Sequence, residues 1–281
     1  MTDSGSEQAP LLRIRDLSIR IGNPQVEAVK GISFDIRPGE VVGLAGESGS
    51  GKSVSAMALT RLLPKAARPR VSGAVSLTGE SGNLLQLGGA RLRKIRSSRI
   101  AYVFQEPSSS FNPAYSIRNH LQEILNGAGI RKAERDGAIR NAFEQVGITP
   151  TEDHLQSYPG DFSGGMLQRM AIACALAPKP DLLIADEPST ALDTTSQKRI
   201  VDLLQALNKQ AGMAILFISH DLALLKQIAG RLLVMQDGEI VEEGTAGKIL
   251  YQPAHPYTRR LVAAIPKLQI ENMEALRPKD Q

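Results

Sequence analysis

Apolar positions along the chain fall into two patterns: short, nearly continuous runs, and longer stretches where apolar residues recur every three or four positions. The runs are Glu40-Val41-Val42-Gly43-Leu44-Ala45, Arg99-Ile100-Ala101-Tyr102-Val103-Phe104, Asp181-Leu182-Leu183-Ile184-Ala185 and Ala214-Ile215-Leu216-Phe217-Ile218. Continuous runs of this length suit strands buried on both faces of a parallel sheet. Thr195 to Gln210 sets Ile200, Leu203, Leu204 and Leu207 on one face, the stripe of a helix docked on such a sheet. Between Asn119 and Gly147 the pattern is helical and polar with no intervening strand, which predicts a helical insertion extending through about Leu176. After Gly244 a short appendage begins, with a helix around Thr258 to Ile265 and a polar end from Gln269 to Gln281. Met1 to Pro10 reads as a loose tail. Strands alternating with helices predict an α/β fold.

A length of 281 residues fits one large α/β domain with a modest appendage. With 42% hydrophobic and 22% charged residues the chain is globular in type, and 4% aromatics without Trp argues against stacking platforms for nucleic acid, so no nucleic-acid partner is expected. The net charge of +4 is small and spread out. Its densest basic stretch, Arg91 to Arg99, reads as a solvated helix face, with a phosphate or membrane-surface contact as the other option. A single cysteine, Cys174, excludes an internal disulfide framework and fits a reducing compartment. The N-terminus lacks the basic-then-apolar pattern of an export signal. The longest apolar run, Met213 to Ile218, is far short of the ~20 residues that cross a bilayer. A cytosolic location is expected, with membrane association through partners.

Candidate chemistry changes this picture at two places. Gly46-Glu47-Ser48-Gly49-Ser50-Gly51-Lys52-Ser53 fits the phosphate-loop pattern between a predicted strand and a helix rich in Ala, Leu and Met. The glycines let backbone N–H groups turn inward as an anion nest, and the helix N-terminus adds positive potential. Lys52 reaches the outer phosphates, and Ser53 offers its hydroxyl to Mg²⁺. A tight Gly/Ser turn is the bland alternative, but the full pattern arises by chance in only about one such chain in a hundred. Downstream, Leu182 to Ala185 ends in Asp186-Glu187. Asp186 is placed to hold Mg²⁺, and Glu187 to polarise the attacking water as general base. Strand-end acids are common as helix caps, and the pairing with the phosphate loop gives these two their weight.

Phe162-Ser163-Gly164-Gly165-Met166-Leu167-Gln168-Arg169, lying before Asp186-Glu187 and after Gln105, resembles the signature of ATP-binding cassette proteins. Ala191-Leu192-Asp193 and Ile218-Ser219-His220-Asp221 follow in the family's order, and the resemblance spans about Leu11 to Gly244. It implies a phosphate-loop NTPase (RecA-like) core with an antiparallel β subdomain and an α-helical insertion at about 115–176. Ser163, Gly164 and Gly165 would open a helix facing the γ-phosphate of ATP held in a partner's phosphate loop. Gln105 would sense Mg²⁺ and the attacking water, Asp193 would lie at the dimer seam, and His220 would contact the γ-phosphate. The sequence departs from the family at Ile21, where an aromatic residue usually stacks on adenine, and at Phe162 and Met166, in place of the commoner Leu and Gln.

Two more stretches, Phe104 to Pro113 and Tyr251-Gln252-Pro253-Ala254-His255-Pro256-Tyr257-Thr258-Arg259-Arg260-Leu261, resemble the dipeptide, oligopeptide and nickel importer branch. The resemblance makes 246–281 a C-terminal extension of that type. It implies pairing with a second cassette ATPase, a homologue or a copy of this chain. It also implies docking on two membrane permease subunits fed by an extracytoplasmic substrate-binding protein, at the cytoplasmic face of the cell membrane. A non-transport accessory ATPase, such as that of carbon–phosphorus lyase, is the alternative. Members of the branch commonly carry a cysteine cluster for an iron–sulfur centre. Cys174 alone cannot supply one, so only ATP and Mg²⁺ are expected as ligands. The segment from Glu106 to Pro113, with Ser109 and Phe111 as exposed positions, is the expected permease contact, a core position for Phe111 being the alternative.

Overall fold

The computed structural model describes residues 9–189 and 193–265. The tail residues before 9, Ala191 and Leu192, and the polar end from 269 lie outside them. Strands β1 (Leu12–Ile21), β2 (Val26–Ile36) and β4 (Arg70–Leu77) form an antiparallel sheet in the order β2-β1-β4. β3 (Val41–Ala45), β5 (Ile100–Val103), β6 (Leu182–Asp186), β7 (Ala214–Ser219), β8 (Arg231–Gln236) and β9 (Glu239–Thr245) form a second sheet, ordered β5-β6-β7-β3-β8-β9. All its neighbours pair in parallel except β8 and β9, which form an antiparallel edge.

The apolar runs have the burial that their composition predicts. Along β3, β6 and β7, successive side chains enter two separate hydrophobic clusters, one on each face of the sheet. Val41, Ala45, Leu183, Ala185, Ile215 and Phe217 pack on one side, and Val42, Leu44, Leu182, Ile184, Leu216 and Ile218 on the other. This is the period-2 alternation of a strand with both faces covered. The antiparallel sheet, α1 (Lys52–Leu59) and α2 (Gly89–Ser98) contribute to the second cluster. The first cluster receives α3 (Ile117–Gly127), α4 (Lys132–Gln145), α5 (Glu152–Gln156), α6 (Gly164–Leu176), α7 (Thr194–Ala211) and α8 (Leu222–Ile228). Two further helices, α9 (Ala246–Tyr251) and α10 (Pro256–Ala263), add Ile249, Leu250 and Tyr257 to it.

Several sequence expectations shift. On α7 the fully buried residues are Ile200, Val201, Leu204 and Leu207, while Leu203 is only partly buried. α9 replaces what reads as irregular chain, and α10 begins two residues before the expected Thr258. The basic run on α2 is not simply a solvated face. Arg96 donates to the carbonyls of Thr60 and Arg61, and Arg91 pairs with Glu80. Pro10, assigned to the tail, accepts a hydrogen bond from the Thr78 hydroxyl at 2.5 Å. One guanidinium joins the two sheets. Arg231 on β8 donates to Glu40 at 2.7 Å, to Glu243 on β9 at 2.6 Å and to the carbonyl of Asp35 on β2 at 2.6 Å. Burial pushes the Glu40 carboxyl up, but the Arg231 hydrogen bond and the Arg37 N–H outweigh it and hold it below its ordinary value.

Candidate functional site

The phosphate loop joins β3 to α1, and its shape depends on three glycines with positive φ, Gly46 at 151°, Gly49 at 82° and Gly51 at 104°. Two of the three are also sterically obligatory. A Cβ on Gly46 would fall 2.2 Å from the Met235 carbonyl oxygen, and one on Gly51 would fall 2.7 Å from that of Ala28. Lys52 opens α1 and is buried, and its ammonium group folds back onto the loop, donating to the carbonyls of Gly46 and Glu47 at 2.8 Å each. Burial pulls its pKa down, against the raising effect of the nearby Glu187, Asp186 and Glu47 carboxylates.

The next residue, Ser53, donates its hydroxyl to Asp186 at 2.8 Å. Asp186 ends β6, one strand over from β7 and two from β3 in the sheet order, which brings it beside the start of α1. Its other oxygen accepts the Tyr102 hydroxyl from β5 at 2.7 Å. Burial raises the Asp186 carboxyl above the ordinary carboxylate range, opposed in part by the Tyr102 and Ser53 hydrogen bonds. Tyr102 escaped the sequence reading because its role depends on the register of β5 against β6, with Tyr102 opposite Ile184, and not on any local motif.

Glu187 turns away from its neighbour. Its φ of 45° bends the chain just past β6, and its N–H bonds the Ile218 carbonyl at 3.0 Å. The carboxylate then lies 3.2 Å from Nδ1 of His220, which follows β7. The adjacent acids therefore serve different partners: Asp186 the phosphate-loop helix, Glu187 the histidine. Lys52, Ser53, Asp186, Glu187 and His220 gather at the carboxyl ends of neighbouring strands, the usual location of ligand sites in open α/β sheets.

The remaining predicted residues lie elsewhere. Gln105, just beyond β5, is exposed. Glu47 and Ser48 are exposed on the loop, and Ser50 is buried. Asp193 caps α7, accepting from the Ser196 amide at 3.0 Å and its hydroxyl at 2.7 Å, and these bonds hold its carboxyl below its ordinary value. Ser163 is the N-cap of α6 without a side-chain capping bond, and Ser163 and Gly164 are exposed while Gly165 is half-buried. Phe162 and Met166 pack partly against the first core cluster. Phe111, expected to be exposed, is 7% accessible and packs edge-on against His120, whereas Ser109 is exposed. An aromatic residue beside a turn of small polar residues has an apolar cluster within reach, and burial there outweighs exposure.

The ABC transporter family matches residues 29–190, more than half of the chain. The chain belongs to the ABC transporter family. It is an ATPase cassette of that family, and residues 241–281 match the C-terminal region of oligopeptide/dipeptide transporters. The peptidoglycan transport ATP-binding protein YejF of Agrobacterium fabrum is 45% identical over 272 residues, covering 96% of this chain and 50% of that protein. The dipeptide transport ATP-binding protein DppD of Haemophilus influenzae is 41% identical over 277 residues, covering 95% of this chain and 83% of that protein. The cassette therefore spans about half of one such relative and most of another. Among solved structures, the dimeric post-hydrolysis state of the ATP-binding cassette MJ0796 bound to ADP and Pi superposes with a TM-score of 0.71 at 26% identity, covering 84% of this chain and 98% of that one. The expected RecA-like core, antiparallel subdomain and helical insertion are the architecture found.

Proposed function

We propose that the chain is the ATP-hydrolysing subunit of an importer that takes up peptides or a related small solute. The observation that carries this is the division of labour at the strand ends, where Ser53 and Asp186 form one oxygen-donor pair and Glu187 and His220 form another contact. It is joined to a C-terminal region of the oligopeptide/dipeptide type. Hard oxygen donors such as the Ser53 hydroxyl and the Asp186 carboxylate fit Mg²⁺, and Gln105 is a third candidate. Mg²⁺ bound there would neutralise charge on the β- and γ-phosphates.

The chain's own residues account for the rest. The amides of the loop and the start of α1 receive the phosphates, and Lys52 exchanges the carbonyls of Gly46 and Glu47 for phosphate oxygens. Glu187 accepts a proton from the water that attacks the γ-phosphorus; the bond to the β-phosphate oxygen breaks, giving ADP and phosphate. His220, in contact with the Glu187 carboxylate, orients it and reaches toward the γ-phosphate. Ser163, Gly164 and Gly165 complete the site of a partner cassette, and Asp193 lies at the seam between the two. ATP closes the pair and hydrolysis reopens it, as a device at the cytoplasmic face of the membrane. Two permease subunits and an extracytoplasmic binding protein supply the solute pathway.

A groove of about 720 Å³, lined by Tyr102, Phe104, Phe111, His120, Ile124 and Ala175, lies between the sheet edge and the helical region and fits a permease loop. Tyr102 lines the groove and also bonds Asp186, so a loop seated there has a short path to the nucleotide site. Isolating the complex from membranes and identifying its subunits and solute tests the assignment. Permeases in the complex support it, whereas carbon–phosphorus lyase components would replace it. Ser109→Arg, an exposed position next to the lining residue Ser110, should leave ATP binding by the isolated subunit unchanged and lose permease-stimulated hydrolysis. Equal stimulation of mutant and wild type in reconstituted membranes would reject the groove as the contact.

A further inference from the structure

The His255-Pro256-Tyr257-Thr258 run opens α10 far from the phosphate loop in sequence, yet its tyrosine touches the loop. The Tyr257 hydroxyl accepts the backbone N–H of Glu47 at 2.9 Å, across 210 positions of chain. The local structure aims it there. Glu242 on β9 accepts the N–H groups of Ala254 at 2.8 Å and His255 at 3.0 Å, fixing the approach to the helix. The His255 ring nitrogen then caps the helix by accepting the Tyr257 N–H, and Pro256 presets the first helical φ. Thr258 is fully buried and Tyr257 is 3% accessible, so the ring has no room to swing.

The Glu47 N–H belongs to the same peptide group as the Gly46 carbonyl, and that carbonyl accepts Lys52 at 2.8 Å. In a trans peptide these two atoms point in opposite directions. Lys52 therefore holds one edge of the Gly46–Glu47 plane and Tyr257 the other. This plane turns about ψ of Gly46 and φ of Glu47, and a glycine leaves that ψ freer than any other residue would. When Lys52 turns to phosphate, its edge of the plane is released.

On the reading of Gly46–Ser53 as the nucleotide site, we infer that Tyr257 is a positioning residue for that site: its hydroxyl keeps the Gly46–Glu47 peptide from rotating once Lys52 has left it. The C-terminal extension thus takes part in nucleotide binding without touching nucleotide. Burial pushes the Tyr257 hydroxyl above its ordinary pKa, so it stays a neutral phenol at working pH.

The test is Tyr257→Phe in the full chain, which keeps the ring and removes only the hydroxyl. KM for ATP should rise about three- to tenfold, the range expected when one hydrogen bond to a part-buried backbone group is lost, with kcat within about twofold of wild type. Hydrogen exchange at the Glu47 amide, measured without nucleotide, should quicken by a similar factor. A KM equal to that of wild type overturns the inference, as does a lower melting temperature with KM and Glu47 exchange unchanged. If wild type itself fails to bind ATP, the nucleotide-site reading falls, while the exchange rate at Glu47 still decides whether Tyr257 holds that peptide.

Discussion

The phosphate-loop end of the molecule and the signature end carry the same kind of chemistry, backbone amides at a helix start, in opposite states. At the loop, Lys52, Ser53 and Asp186 are buried or half-buried and bonded to one another or to the loop's own carbonyls. At the signature, Ser163 caps α6 without a side-chain bond, and Ser163 and Gly164 lie exposed. One end is preorganised by its own chain. The other lies open at the surface, where the resemblance to cassette proteins expects a second cassette. The first end is held in shape by the single chain's own hydrogen bonds, and the second leaves the start of α6 open to contact.

Three substitutions break or sharpen this contrast. Lys52→Ala should abolish nucleotide binding by titration calorimetry, because the loop loses its point charge on the outer phosphates. Wild-type affinity in that variant would mean that the amides alone suffice. Glu187→Gln should bind ATP normally but turn over roughly 10²- to 10⁴-fold more slowly and accumulate as an ATP-bound dimer on gel filtration. Normal hydrolysis would remove Glu187 as general base. Ser163→Arg should leave ATP affinity of the single chain intact and reduce turnover about tenfold, by obstructing the α6 N-terminus. Weakened binding in the monomeric variant would show that the two ends are not separable.

What the sequence makes legible follows from how local each feature is. Strands β3, β5, β6 and β7 of the larger sheet are readable from their apolar runs because burial on both faces leaves few polar positions to disguise them, whereas β9, at the half-exposed edge, has no such run. The phosphate loop is readable because φ-permissive glycines, a lysine and a serine must stand at fixed spacing within eight residues. Long-range contacts leave no such trace. Tyr102 reaches Asp186 through strand register, and Tyr257 reaches Glu47 through a helix from the far end of the chain. Phe111 and Leu203 differ from their expected exposure for a related reason: near a turn or at the flank of an amphipathic stripe, the neighbouring element decides which side chain is covered. α9 is too short for periodicity to declare it.

Arg231 ties β2, the turn before β3, and β9 through a single side chain. In mechanical terms it acts as a rivet between the two sheets, and β2 also packs against β9 alongside it. A torque delivered to the antiparallel sheet therefore has a direct side-chain route into β8, the neighbour of β3, whose carboxyl end carries the phosphate loop.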